Sequence, residues 1–211
     1  QYVEGVAGET YRDMWVYCET QAGELLDVSK EMLGRAREMM DEYNSEDGET
    51  EDTASYGGDE EGNPEDVVAV IVGDEIGDLA EEAIAYGADR VVYHEDERLG
   101  RFRHKPYTEI VCHMCRDFDQ EWRDYHEPRY AIFPATNNGR DLSALVQGEL
   151  DSGLASDCSD LYIDEAMISN PAKTGTPGES KEFERVLHMP RPDFSGFEYS
   201  TILCIDKPHR D

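Results

Sequence analysis

Six consecutive apolar residues, Val67-Val68-Ala69-Val70-Ile71-Val72, followed by Gly73-Asp74, restrict the architectures open to this chain. A strand with one wet face alternates apolar and polar residues. An unbroken apolar run therefore implies burial on both faces, as in a parallel strand covered by helices on each side. The next residues supply one cover: Ile76, Leu79, Ala80, Ala83 and Ile84 fall at helical spacing, and Gly87 closes the segment. The same unit occurs along the chain. Residues 14–17 read as a buried strand ending at Cys18-Glu19, with a turn at 21–24. A helix then opens with Ser29 as N-cap, turning Met32, Leu33, Ala36, Met39 and Met40 inward and Glu31 and Glu38 outward. Residues 90–93 and 130–133 predict two more strands, and 107–118 and 142–154 two more helices, the last capped near Gly153. The expected fold is α/β, a three-layer α/β/α Rossmann-like domain with a mostly parallel central sheet. After residue 157 the pattern changes. Residues 161–163, 184–187 and 199–205 look like strands without intervening helices, an antiparallel or edge addition to the sheet, with a loop at 170–179.

Charge narrows the partners. The 211 residues carry 49 Asp+Glu against 19 Lys+Arg, a formal net charge of -30, which makes nucleic acid an unlikely ligand. An acidic surface with only five lysines suits a protein that folds where molar salt shortens screening to about 3 Å, as in the cytoplasm of a halophile. Residues 41–66 hold twelve acids and no Lys or Arg, so the stretch is expected to be an acidic surface loop in preference to a binding tail, with 44–66 as the inserted loop between the first helix and second strand. Residues 1–10 show no periodicity and are expected to be an N-terminal extension to one domain over 11–211. The 38% hydrophobic content is enough for one core. Five scattered cysteines are reduced-thiol usage, and no apolar run approaches the roughly 20 residues of a membrane span.

Local chemistry concentrates in Pro134-Ala135-Thr136-Asn137-Asn138-Gly139-Arg140-Asp141-Leu142, where the fourth strand passes into a helix. Ligands of open α/β sheets bind at that position, because loop amides and the helix N-terminus carry partial positive charge. Asn137 or Asn138 could cap the helix, Gly139 allows close backbone approach, and Arg140 adds a fixed charge beside Asp141. These five residues are the candidate ligand contacts. The plainer alternative is a strand-to-helix turn with a buried Arg140–acid pair. Cys112-His113-Met114-Cys115 has the spacing of a thiolate pair but no second pair, and on a helix both sulfurs fall on one face as small core residues. No Ser/His/Asp or Cys/His signature accompanies the six histidines, so no catalytic residue is assigned. Gly73-Asp74-Glu75-Ile76-Gly77 lacks a Walker lysine and reads as a turn.

The order of these segments resembles the electron transfer flavoprotein alpha subunits, the family that includes the FixB proteins. Tyr11-Arg12-Asp13-Met14-Trp15-Val16-Tyr17-Cys18-Glu19 is similar to the family's opening strand, and Val28-Ser29-Lys30-Glu31-Met32-Leu33-Gly34-Arg35-Ala36-Arg37 to its first helix. Tyr86-Gly87-Ala88-Asp89-Arg90-Val91 and Pro106-Tyr107-Thr108 resemble later units. Ala135-Thr136-Asn137-Asn138-Gly139-Arg140-Asp141-Leu142 with Gly153-Leu154-Ala155-Ser156-Asp157-Cys158 resembles its most recognisable motif, with Ser156 where the family often has Ala. The resemblance implies an electron carrier and not an enzyme. It implies a heterodimer with a beta subunit that takes electrons from flavin dehydrogenases and passes them to a membrane quinone reductase. FAD would be bound mainly outside this chain, by a C-terminal domain whose flavin-contacting motifs would lie beyond Asp211, and AMP or a second FAD would sit in the beta subunit. A different class of reading is a stand-alone adenine-nucleotide-binding α/β module that uses 137–141 for a phosphate.

Overall fold

The computed structural model describes residues 11–45, 64–116, 127–193 and 198–204. The expected extension at 1–10, most of the acidic loop, the last two residues of the 107–118 helix and residues 205–211 lie outside them. The parallel sheet is built from β1 (Tyr11–Cys18), β4 (Val67–Gly73), β5 (Arg90–Glu95) and β6 (Glu127–Ile132), in the order β5-β4-β1-β6. A tight hairpin, β2 (Thr20–Gln21) and β3 (Glu24–Leu25), follows β1. Its turn needs left-handed backbone at Ala22 (φ 53°) and Gly23 (φ 76°), and the second position suits a residue without Cβ.

The pleat sorts the apolar residues to two faces. Met14, Val16 and Cys18 of β1 and Val67, Ala69 and Ile71 of β4 face one cluster, closed by Leu33, Ala36, Met39 and Met40 of α1 (Asp27–Asn44) and by Leu79 and Ala83 of α2 (Leu79–Ala85). Trp15, Tyr17, Val68, Val70 and Val72 face the other, closed by Tyr107, Val111, Cys112 and Cys115 of α3 (His104–Arg116) and by Leu142, Val146 and Leu150 of α4 (Asn137–Leu150). Helices on both faces explain why β1 from Met14 onward and β4 throughout are apolar, and the three-layer Rossmann-like expectation holds.

Several local expectations are corrected. Ser29 is not the N-cap of α1: the helix starts at Asp27 with Leu26 in the capping position, and Ser29 lies buried within the first turn. Its hydroxyl accepts from Glu19 N at 2.9 Å and donates to Glu19 O at 3.2 Å, so it serves a tertiary partner instead of its own helix. Ile84 is 52% exposed. The inward face of the seven-residue α2 is set by Leu79 and Ala83, and the next residue is turned about 100° toward water. α4 spans Asn137–Leu150, starting five residues earlier than its apolar pattern suggests and ending at Asp151 in left-handed conformation (φ 51°), not near Gly153.

The strands after residue 157, β7 (Tyr162–Ile168), β8 (Lys181–Asp193) and β9 (Glu198–Leu203), form their own antiparallel sheet in the order β7-β8-β9. Among the described residues it shares no ladder with the parallel sheet. It leans on the α1 side through Leu161, Ile163 and Leu187, through Arg35 Nη2 donating to Leu161 O at 2.8 Å, and through Tyr130 Oη donating to Arg185 O at 2.7 Å. One helical turn, α5 (Pro171–Thr174), interrupts the loop expected at 170–179.

Neither end of the acidic stretch is a solvated loop, since α1 runs on through residues 41–44 and buries Tyr43. Glu65 is 1% exposed, its carboxylate accepting from Asp13 N (2.9 Å), Tyr43 Oη (3.0 Å) and Arg129 Nε (3.2 Å). Asp13 sits in β1 with φ 71°, between the paired positions Arg12 and Met14, and accepts from Asp66 N at 2.8 Å and from Arg90 Nη2. Burial raises its carboxyl above the usual range, against the lowering effect of those partners.

Candidate functional site

In this strand order the chain moves outward from β1 through β4 to β5, then returns to the opposite side of β1 as β6. The order reverses between β1 and β6, and the crevice at their carboxyl ends is where such sheets bind ligands. Glu19, the first residue after β1, is 9% exposed and reaches across that crevice. Its Oε2 accepts from Thr136 Oγ1 at 2.5 Å and its Oε1 from Asn138 Nδ2 at 2.7 Å. Thr136, not Asn137 or Asn138, caps α4: its hydroxyl accepts from Gly139 N at 2.9 Å while donating to Glu19. Asparagine is the stronger N-cap by general preference, but the threonine hydroxyl can satisfy the helix amide and the carboxylate together.

The five sequence candidates do not converge on one point. Asn137 is exposed, and Asn138 turns inward to Glu19. Gly139 lies against the preceding turn so closely that a Cβ there would be 2.1 Å from Pro134 O. Arg140 Nη2 pairs with Asp157 Oδ1 at 2.5 Å, tying together the two halves of the 135–158 motif, but the pair is about half exposed and not buried as expected. Asp141 is 3.0 Å from His104 Nε2 on the neighbouring α3.

The carboxyl edge of the sheet is acidic where a phosphate site would be positive. Glu19 follows β1, Asp74 and Glu75 follow β4, Glu95 ends β5 and Asp96 comes next. Glu95 Oε2 accepts from Ile76 N at 2.9 Å, and the Arg98 guanidinium holds the Asp96 carboxyl well below the usual range. Tyr17 stacks on Phe133 with ring centroids 5.7 Å apart, and burial pushes its phenol up. Cys112 and Cys115 face the α3 side of the core. Burial raises the first thiol to about 11 and the second further, so both behave as small apolar groups. Among the described residues no helix is long and apolar enough to cross a membrane. The sequence reading missed Glu19, Ser29, Thr136 and Glu65. Only Thr136 carried a local signal, as a capping residue three before a glycine amide, since the partners of the other three come from distant segments.

Fold and site together define a Rossmann-like three-layer α/β domain whose switch point is bridged by its own side chains. The family model for the electron transfer flavoprotein domain matches residues 53–208. The electron transfer flavoprotein subunit alpha of Megasphaera elsdenii is 33% identical over 196 residues, 93% of this chain and 45% of the relative. The acryloyl-CoA reductase electron transfer subunit beta of Anaerotignum propionicum is 26% identical over 92% of this chain and 47% of its own length. Protein FixB of Clostridium saccharobutylicum is 27% identical over 92% of this chain and 44% of its own. The chain belongs to the electron transfer flavoprotein family, on the side of the alpha subunits and FixB proteins, and spans about half the length of these curated relatives.

Proposed function

We propose that this domain is the scaffold of a cytoplasmic electron transfer flavoprotein alpha subunit. It packs against a beta subunit in a heterodimer that carries electrons from flavin dehydrogenases to a quinone reductase. Its own contribution is positioning: FAD is gripped mainly by protein outside these residues, and any AMP or second FAD by the beta subunit. The observation that supports this reading is the Glu19 carboxylate across the switch point, held by Thr136 and Asn138. A bound pyrophosphate would meet that carboxylate and the acids that follow β4 and β5, so the domain is ill suited to a dinucleotide or to the phosphate of AMP.

An absorbance scan of the purified chain tests the proposal. Flavin is expected to be lost on gel filtration of the isolated chain and retained only when the beta subunit and a complete alpha chain are present. Stoichiometric yellow flavin retained by the isolated chain overturns this reading, and saturable micromolar AMP binding favours a stand-alone nucleotide module instead.

A further inference from the structure

Residues 98–105, Arg98-Leu99-Gly100-Arg101-Phe102-Arg103-His104-Lys105, hold four of the chain's 19 Lys+Arg, with one histidine and no acid. In a chain of net charge -30 this is a local reversal of sign, and folding does not call for it. Elsewhere Arg35, Arg37, Arg90, Arg129 and Arg140 each hold a carboxylate. Here Arg101 and Arg103 are exposed and, among the described residues, pair with no carboxylate, Arg103 donating to Arg98 O. Arg98 is held by Asp96 yet remains 79% exposed, and Lys105, beside Glu109, is 84% exposed. Lys105 also occupies the first turn of α3, where positive charge opposes the helix dipole and lowers helix stability.

Arg98 and Arg103 line a cavity of about 280 Å³ together with Leu99, Pro106, Ile110, His94 and Asp96, and the Asp96 carboxylate is already engaged by Arg98. An apolar floor rimmed by guanidinium groups matches one apolar side chain flanked by carboxylates, since exposed arginines offer paired donors to carboxylates while their stems line the floor. Extended polyanions are disfavoured, because the acidic surface around the patch repels whatever reaches beyond it. We infer that residues 98–106, with Ile110, form a docking surface for an acidic segment of a partner protein, whose aliphatic or aromatic side chain enters the cavity between Leu99, Pro106 and Ile110. The inference does not depend on where the flavin is held.

The probe is a fluorescein-labelled five-residue peptide with two acidic residues on each side of one central Trp, short enough to stay within the patch. It is titrated with the 211-residue chain at the lowest KCl concentration that keeps the chain folded by circular dichroism. Saturable binding is expected, weakened about fivefold when the Trp is replaced by Ser and at least about tenfold in the double variant Arg101→Glu, Arg103→Glu. Both side chains are exposed, so the variant should keep its melting temperature. If it does not fold, Arg101→Ser carries the test with an expected loss of about threefold. Affinity unchanged by charge reversal or by loss of the Trp overturns the inference. So does tighter binding of tripolyphosphate than of the peptide, which would mark a small-anion site instead.

Discussion

Arg129 Nη2 lies 3.0 Å from Glu65 Oε1, joining β6 to the residue two positions before β4 beneath the amino ends of the parallel strands. Glu65 is almost fully enclosed and its other acceptors are filled by Tyr43 and the Asp13 amide. Removing one partner strands a buried charge, so Glu65→Leu is expected to cost about 3 kcal/mol. Replacing both with apolar residues, Glu65→Leu with Arg129→Met, should recover the part of that loss due to the stranded guanidinium, about half, since the Tyr43 hydroxyl and the Asp13 amide still lose the Glu65 acceptor. Urea unfolding of the two singles and the double checks this, and additive losses would show that the pair is not coupled.

The Glu19 bridge predicts a smaller effect. Glu19→Gln keeps one acceptor and turns the other into a donor facing Asn138 or Thr136, an expected loss of about 1 to 2 kcal/mol. Gly139→Ala should cost about 3 kcal/mol, because its Cβ would be driven into the Pro134 carbonyl, which is backbone and yields little. Equal melting temperatures for wild type and Gly139→Ala would contradict the geometry at this turn.

Thiol accessibility gives a test that needs no mutation. Cys18, Cys112 and Cys115 are buried, with the first two thiols raised by burial to about 12 and about 11. At pH 8 a thiol at about 11 is ionised in only about one molecule in a thousand. Cys158 and Cys204, partly exposed, should react first with a disulfide reagent. The other three should react only on unfolding, and rapid modification of all five in the native protein would count against the two-faced core.

The α/β architecture was legible because β1 and β4 are buried on both faces and so carry unbroken apolar runs. The added sheet was less so. Its strands are partly wet and patterned like edge strands, and nothing in residues 162–168 says which neighbour they pair with. Glu65 was hidden for a different reason: it belongs by composition to an acidic stretch, and only the fold brings Arg129, 64 positions away, to neutralise it. The site shows the same division. Asn138, Gly139 and Arg140 stood out as residue types, while Glu19, which gives the crevice its character, is one acid among 49 Asp+Glu.

Ionic strength and pH should act together. The -30 charge predicts a melting temperature that rises between dilute buffer and molar KCl, and an unchanged value would refute the screening argument. For pH, burial raises the carboxyls of Asp13 and Glu127, so the native state holds their protons longer than the unfolded chain does. Stability from these groups therefore falls as pH rises from the ordinary carboxylate range through their raised values. Asp96, depressed by Arg98, works oppositely, and its contribution is lost only as pH falls below the ordinary carboxylate range. In low salt the optimum should lie on the acid side of neutrality, checked by melting scans across pH.

The separation of the two sheets has a consequence for amide hydrogen exchange. β4 is laddered on both sides, by β1 and β5, whereas among the described residues β7, β8 and β9 ladder with one another and join the rest through side-chain contacts and the bond from Ser159 N to Pro190 O. Ladders that are not shared can open separately. Deuterium should enter β8 and β9 through excursions that leave Val68 to Val72 protected, dividing the chain into a slow-exchanging centre and an outer sheet that opens at lower free energy.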